Sequence, residues 1–526
     1  MPAKSSKYFS SFEMLLYFQH GLRKRLAENY YRLLQKRIVR RLNRYSGNAI
    51  ISREFITRLS SLLNIPENVY ADEAEKSIIV TEAEKTINGV YNLLGSGDIK
   101  LDPIEWHTDF KTGFRWPPGT FYKKYIQEDL NSSSDVKVPR ELSRCHHLLK
   151  LGLAYRLTNN KKYAEVCIDQ MKNWIDENPL MYTINWGCTM DVAIRAVNWI
   201  WTLGFIAGTE DLDDKTIDKI KCSLYEHGWF IWRNPEKSSV YSGNHYLADL
   251  AGQMHLGLMF SDLKEPKHWL QMAKEELFLQ MRIEILPSGM TYERSTNYNR
   301  LVLELILIPV LLLKNNGHEI PSDIWYRIEK MFDFIMYSLK PDGTTPVIGD
   351  QDNGRLLPFN RQETTNLRYL MSLGALLFNR SDLKHHGEGF NVFCSVFGGK
   401  GGIESWHNIS DSQLDLNSNA FPDIGLFIMR KKDNYLIFNA TGRGLYPESS
   451  LGSHTHSDLF SFELFTYGKS FLIDPGSYVY TADADQRMLF RSTKMHNTVS
   501  IDGESQDMLR REKIWSYSRD AIPQVI

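Results

Sequence analysis

The chain has 526 residues, too many for one ordinary hydrophobic core, and about two to four domains is the expectation for that length. With 62 Lys+Arg against 63 Asp+Glu the formal net charge is −1, so no global field directs the protein to nucleic acid or an anionic membrane. A local cationic groove stays open.

The five cysteines (Cys145, Cys167, Cys188, Cys222 and Cys394) are scattered and odd in number, without CxxC spacing, which argues against a disulfide framework and a cysteine metal site. No run approaches the ~18 apolar residues of a membrane span. Twelve Trp and 26 Tyr supply flat faces of the kind that stack on sugar rings, although most such aromatics fill cores.

In chain order, residues 1 to about 60 are basic and helical in pattern, with Leu22-Arg-Lys-Arg25 and Lys36-Arg-Ile-Val-Arg-Arg41, which reads as a solvated helix face. The apolar patch Phe12 to Phe18 precedes its charges, the reverse of a signal peptide. The expected location is cytoplasmic as the sequence stands, and periplasmic or secreted if a leader has been removed.

Between Glu141 and Phe378, amphipathic segments of helical length alternate with Asn/Pro/Gly/Asp breaks. The spacing predicts helices at Glu141–Thr158, Lys162–Asn178, Thr189–Gly208, Asp214–Trp232, Asn244–Phe260, Pro266–Ile285, Asn297–Asn316, Ser322–Leu339 and Glu363–Phe378. Such a train of helix pairs packs as a solenoid or closes into a toroid. After Ser381, runs such as Ile424 to Arg430 and Tyr435 to Ala440 alternate with turn residues and predict an antiparallel β-sandwich. The division expected is an N-terminal helical segment (1–100), an α/α toroid (101–385) and the sandwich (386–526), with no obvious finishing strand after Trp515.

Four stretches of the helical part are more polar than packing requires. Asn185-Trp186 precedes a helix carrying Asp191 and Arg195 four apart, which reads as a structural ion pair. Asn244-His245 opens a helix, where free N–H groups and the dipole favour an anion. Tyr292 and Arg294 stand just before Tyr298 and Arg300, and Gly349-Asp350-Gln-Asp352-Asn353-Gly354-Arg355 is a polar turn between helices. Singly these read as caps and turns; together they put Asn, His, Tyr and Arg at the mouths of several helix pairs, as a cleft for a polyanion requires.

Near the C-terminus, His454-Thr-His456, Asp474 and His496 lie at or beside predicted strands (Leu459 to Thr466, Ser470 to Asp474, Asn497 to Ile501). Two imidazoles and a carboxylate, His456, His496 and Asp474, suffice for a Zn²⁺ site, and such a set also accepts Mn²⁺. Three unrelated histidines in a β-domain is the plain alternative.

Several of these stretches, taken with others, resemble the heparinase II/III-like polysaccharide lyases, a superfamily of glycosaminoglycan and alginate lyases. The carriers run in order from Lys137-Val-Pro-Arg-Glu-Leu-Ser-Arg through Asn185-Trp186, Gly243-Asn244-His245, Tyr292-Glu-Arg-Ser-Thr-Asn-Tyr298 and Gly349-Asp350 with Asn353-Gly354-Arg355. They continue through His454-Thr-His456-Ser-Asp458 and Ile473-Asp474-Pro-Gly476 to Arg491-Ser-Thr-Lys-Met-His496-Asn497. Each motif is weak alone; their shared order carries the resemblance.

The resemblance implies an α/α toroid followed by an antiparallel β-sandwich, a Zn²⁺ on His456, Asp474 and His496 that is usually structural, with a Lewis-acid role on the carboxylate as the alternative, and catalytic roles for Asn244, His245, Tyr298 and His454. Asn185, Trp186, Tyr292, Arg294, Asn353, Arg355 and Arg491 are the expected substrate contacts. Some relatives carry a glutamate where this chain has Ala248, with Asp249 adjacent.

The implied chemistry is β-elimination at a 4-O-linked uronate. A group such as Asn244 with His245 neutralises the carboxylate, a base takes the C5 proton, and an acid protonates O4. Tyr298 serves as acid, and as base if a neighbouring cation such as Arg294 lowers its pKa; His454 is the other base. The expected partner is an anionic uronate polysaccharide, glycosaminoglycans ahead of alginate or a bacterial exopolysaccharide. The alternatives are a glycoside hydrolase, for which Asp350 with Glu293 is the only carboxylate pair to nominate, and an inactive polysaccharide-binding protein of a biosynthesis locus.

Overall fold

A computed structural model describes residues 52–126, 129–238, 242–359, 363–412, 415–441, 454–512, 514–515 and 517–518. The basic runs before Ser52 lie outside the described residues.

The helical part runs α1 (Ser52–Leu63), α2 (Glu73–Ile87), α3 (Lys137–Ser143), α4 (His146–Thr158), α5 (Lys161–Glu177), α6 (Thr189–Ile206) and α7 (Asp214–Arg233), then α8 (Gly243–Met259), α9 (Lys264–Glu284), α10 (Thr296–Asn315), α11 (Ser322–Ser338) and α12 (Arg368–Phe378). Local chemistry sets the starts: Asn160, Asp213 and Ser295 each accept a first-turn backbone N–H at the N-cap of α5, α7 and α10.

Sidedness then sorts the helices into two layers. Every residue of α6 is buried, and α8 and α10 are apolar nearly all round. A helix without a polar face has to sit inside. These three pack in sequence with α4 as an inner wall, and α5, α7, α9 and α11 lean on them from outside. That is the expected α/α toroid. Helix α10 is long and apolar enough to cross a membrane, yet it is wholly buried as a core element.

The helix expected over Glu141–Thr158 is two. Cys145 adopts φ +59°, which ends α3 and restarts the chain as α4. The expected i,i+4 pair of Asp191 and Arg195 is also not formed. Asp191 bonds Arg144 Nε at 2.7 Å, whereas Arg195 donates to His227 at 2.8 Å and lies over the Trp174 ring.

Three short helices, α13 (Ser381–His386), α14 (Val392–Gly398) and α15 (Gly402–Asn408), occupy the segment where strands were expected to begin. The helical part therefore runs to Asn408, within the 381–420 stretch where the texture of the sequence changes. The sheet follows as β1 (Asn419–Phe421), β2 (Leu426–Lys431), β3 (Asn434–Asn439), β4 (Ser461–Thr466) and β5 (Lys469–Leu472), antiparallel and in sequential order. Leu426, Ile428, Tyr435, Ile437 and Phe465 alternate inward onto the core. The sheet is fixed to the end of α11 by Phe421 against Phe334 (ring centroids 5.1 Å) and by the Tyr435 hydroxyl on the Ser338 carbonyl (3.1 Å).

Besides this sheet, the described residues after 415 hold helix α16 (Ala484–Arg491) and a two-residue pair of Met508–Leu509 with Tyr517–Ser518. The strand expected at Asn497–Ile501 is absent; only an isolated bridge joins Ile501 to Glu504.

Candidate active site

A cavity of about 540 Å³ opens where the helix N-termini meet the loop before β4. Asn244, His245, Tyr292, Glu293, Tyr298, Asp352 and His454 all line it. Residues from distant parts of the sequence thus share one wall.

Two glycines make this approach possible. Gly243 starts α8 at φ +67°, and a Cβ there would lie 2.7 Å from Glu293 Oε1. Asn244 and His245 follow in the first helical turn. Gly349 has φ +71°, and a Cβ there would stand 2.4 Å from the His454 carbonyl, the group that accepts the Asp350 N–H at 2.8 Å. Through that bond the C-terminal loop is stitched to the helical half. Tyr298, in the first turn of α10, is positioned by Ser295, whose hydroxyl accepts the Tyr298 N–H and donates to the Asp350 carbonyl at 2.7 Å.

Asp350 is the hub beneath the cavity floor. Its carboxylate, fully buried, receives His454 Nδ1 (3.0 Å), His456 Nε2 (2.9 Å), the Ser477 hydroxyl (2.7 Å) and both terminal nitrogens of Arg487, one of them at 2.6 Å. Burial alone would raise its pKa, but the Arg487 charge and the two imidazole donors hold it well below the usual carboxylate range. An ionised Asp350 fixes the His454 proton on Nδ1. That leaves Nε2 as an acceptor, 3.5 Å from Asn244 Nδ2 and 3.8 Å from Glu293 Oε1.

The His454 ring stacks on Tyr298 at 3.7 Å between centroids. The Tyr298 hydroxyl donates to Asp352 at 3.0 Å and stands 3.3 Å from that of Tyr480. Burial, with the negative charge of Asp352 and the Tyr480 hydroxyl beside it, pushes the phenol pKa well above its ordinary value. Tyr298 is thus held as a proton donor. Lys137 reaches the same Asp352 oxygen at 2.7 Å.

Asn244 donates its amide to Glu293 Oε1 at 2.8 Å, while its own carbonyl oxygen is buried without a partner. His245 is half exposed, with Nδ1 2.8 Å from Glu236. Burial opposes charge on this ring, but the Glu236 carboxylate and Cys188 override it and raise the His245 pKa well above normal. The cavity therefore presents an imidazolium and an amide at the N-terminus of α8. The Asp249 side chain accepts the Glu236 backbone N–H at 2.7 Å.

His456, Asp474 and His496 form one of two clusters, among the described residues, whose donor atoms all lie within 4.8 Å of one another. They reach this from a loop, the end of β5 and the turn after α16, not from three strands. His496 Nδ1 contacts Asp474 at 2.6 Å, its Nε2 is buried without a partner, and Asp350 sits behind His456 as an orienting carboxylate. The donor set fits a borderline divalent cation.

Four expected substrate contacts are core residues instead. Asn185 is fully buried, donating to the Trp106 carbonyl (2.8 Å) and Asn178 (2.9 Å), and Trp186 packs among Trp174 and Phe230. Arg355 is spent on Glu304 at 2.5 Å, which also receives the Tyr369 hydroxyl. Arg491 is buried and ties the Thr455 and Ile514 carbonyls. Of the others, Tyr292 lines the cavity, Asn353 lines an adjoining one of about 610 Å³, and Arg294 lines neither. Asp135, Lys137, Asp352 and Tyr480 form the wall shared by the two cavities.

Residues 67–368 match the model of the heparinase II/III N-terminus, and residues 414–521 that of the heparinase II/III-like C-terminal part. The chain belongs to the heparinase II/III family. It is 22% identical over 415 residues to a heparin-sulfate lyase of Pedobacter heparinus, covering 75% of this chain and 56% of that protein. A heparin-sulfate lyase of Bacteroides stercoris is 22% identical over 411 residues, with 72% and 56% covered. The chain thus spans about half the length of these relatives.

Its fold is that of heparinase III, whose crystal structure superposes with a TM-score of 0.63 at 18% identity over 88% of this chain and 69% of that one. Heparan sulfate lyase HepC from Pedobacter heparinus follows at 0.52, 18% identity and 89% and 68% coverage. Those structures share the helical toroid and the antiparallel sheet half that the sequence predicts.

Proposed function

We propose that the protein is a polysaccharide lyase that cleaves 4-O-linked uronate glycosaminoglycans, heparan sulfate foremost, by β-elimination. One observation carries this reading: His454 crosses from the C-terminal part to stand between Asn244 and Tyr298, with Asp350 behind it. In the reaction, His454 Nε2 takes the C5 proton, and the electrons left on C5 form the C4–C5 double bond as the C4–O bond breaks. Tyr298 gives its proton to the departing O4, and solvent exchange restores both groups. The Asn244 amide and the His245 imidazolium face the uronate carboxylate, whose charge would otherwise keep C5–H too weakly acidic.

The substrate class comes from the heparin-sulfate lyase relatives. A glycoside hydrolase is disfavoured because His454 stands between its only nominated carboxylates. With Asp350 on Nδ1 and Glu293 near Nε2, no sugar fits between them.

Incubation with heparan sulfate, heparin, chondroitin sulfate, hyaluronan and alginate, followed by the ultraviolet absorbance of the unsaturated uronate, tests the reading. A rise on a glycosaminoglycan that Tyr298→Phe abolishes is the expected result. No rise on any polymer with folded protein would replace the lyase with the polysaccharide-binding alternative.

His456, Asp474 and His496 are proposed to hold a Zn²⁺-class cation. When bound there it would cross-link three segments of the C-terminal part. None of the three lines the cavity, which supports a structural role. Chelation is expected to lower the unfolding midpoint of the wild type but not of a His496→Ala variant.

A further inference from the structure

The second donor cluster lies at the cavity wall. Cys188, Glu236 and His245 bring a thiol, a carboxylate and an imidazole within 4.8 Å of one another. Cys188 Sγ is 4.0 Å from His245 Nδ1 and 3.9 Å from Glu236 Oε2, and the last two atoms are 2.8 Å apart. A tetrahedral zinc with ordinary bond lengths sets its S, N and O donors about 3.4–3.6 Å from one another. The three separations here depart from that by about 0.6 Å at most. The shortest, Nδ1 to Oε2, is the one an ion pair closes when a proton is held there.

Such a trio has a second possible meaning, a thiol–imidazole–carboxylate relay for nucleophilic attack. The geometry is wrong for it. A relay threads the ring, with the nucleophile on one nitrogen and the acid on the other. Here both the thiol and the carboxylate face the same nitrogen, Nδ1, so the three donors surround a point rather than form a line. Burial keeps Cys188 as a thiol, its pKa pushed up to about 11. Nothing in that arrangement activates sulfur.

The three side chains are held as ligands of a preformed site would be. Cys188 is the N-cap of α6, and His245 stands in the first turn of α8. Glu236 is fixed from two sides, its backbone N–H by Asp249 at 2.7 Å and its carboxylate by the Met190 N–H at 3.1 Å. Cys188 and His245 line the cavity whereas Glu236 does not, so the fourth position faces the cavity.

The geometry assigns to Cys188, Glu236 and His245 a binding site for a borderline divalent cation of the zinc class, distinct from the His456–Asp474–His496 cluster and open to the cavity. Binding exchanges the thiol proton and the imidazolium proton for the cation, so the net charge of the trio is the same with the metal as without it. The assignment rests on donor geometry and stands apart from the lyase reading.

Cobalt(II) distinguishes the two clusters, because only this one contains sulfur. Full-length protein, stripped with a chelator and titrated with Co²⁺, is expected to show a thiolate-to-cobalt charge-transfer band in the near ultraviolet. The band should vanish in Cys188→Ser, persist in His496→Ala, and require about tenfold or more cobalt in Glu236→Gln. Circular dichroism of each variant establishes folding, and Cys188→Ser keeps a good N-cap residue at its position. A folded wild type that binds cobalt without the band, or a band that survives Cys188→Ser, overturns the assignment. Neither result depends on turnover.

Discussion

Asp350→Asn removes one charge and leaves the shape of the hub almost unchanged. The carboxylate is fully buried, as is Arg487, so the substitution strands a guanidinium in the interior. Breaking a buried pair by neutralising one partner costs about 3–5 kcal/mol, and the retained amide oxygen holds the loss near the lower figure, about 3 kcal/mol. A second effect falls on His454. An amide presents either an oxygen or an N–H to Nδ1, and in the latter orientation the imidazole moves its proton to Nε2, where the base has to be free. Turnover should fall roughly 10²–10⁴-fold, with substrate affinity little changed because Asp350 does not line the cavity. Guanidinium denaturation reads the first effect, and unsaturated-uronate absorbance read as kcat against KM the second. Ser477→Ala is the control: it removes one neutral donor from the same carboxylate and should cost about 1 kcal/mol without loss of turnover. A folded Asp350→Asn enzyme with kcat within about threefold of wild type would refute the reasoning.

Glu284 is buried beside Glu293, and burial with that neighbouring charge raises its pKa from 4.5 to about 7. A group protonated more readily in the folded state contributes stability that is fully present below about pH 4.5 and lost as pH rises through about 7. Glu284→Gln should therefore gain about 1–3 kcal/mol over wild type at pH 8 and little at pH 5, measured as the difference between two denaturation series. Arg355→Met should destabilise by about 3–5 kcal/mol, because Glu304 loses its buried partner, with KM unchanged; a raised KM in a stable variant would restore Arg355 as a substrate contact. Glucuronate and iduronate carry H5 on opposite faces; with His454 as the base, His454→Ala should abolish cleavage at every epimer the wild type accepts, and cleavage surviving at one epimer would assign the base there to another group.

The toroid was legible because it rests on periodicity. Helices as apolar as α6 and α10 have no polar face to hide their place inside, and Ser295 and Asp213 announce helix starts by cap chemistry alone. The break at Cys145 was not legible, since a left-handed cysteine carries no signal that glycine or asparagine would have given. The short helices between 381 and 408 were missed for a related reason: segments of six or seven residues are too short for a period to show.

At the site, sequence pattern identified side chains but not the direction they face. Asn185 and Arg355 carry the same chemistry as true ligand contacts, and only packing reveals that one caps a core turn and the other neutralises Glu304. Nothing in the sequence marks Asp350 as a hub, because its partners Arg487 and His454 lie more than 100 positions away and no local spacing connects them. The two halves of the chain meet at that carboxylate. It orients His454 toward the cavity through one oxygen and His456 toward the cation cluster through the other, so base and cluster share one charge. If the cluster holds the proposed cation, its loss would leave His456 bound to Asp350 alone, and His454 would feel it through a single shared group rather than through any rearrangement of the toroid.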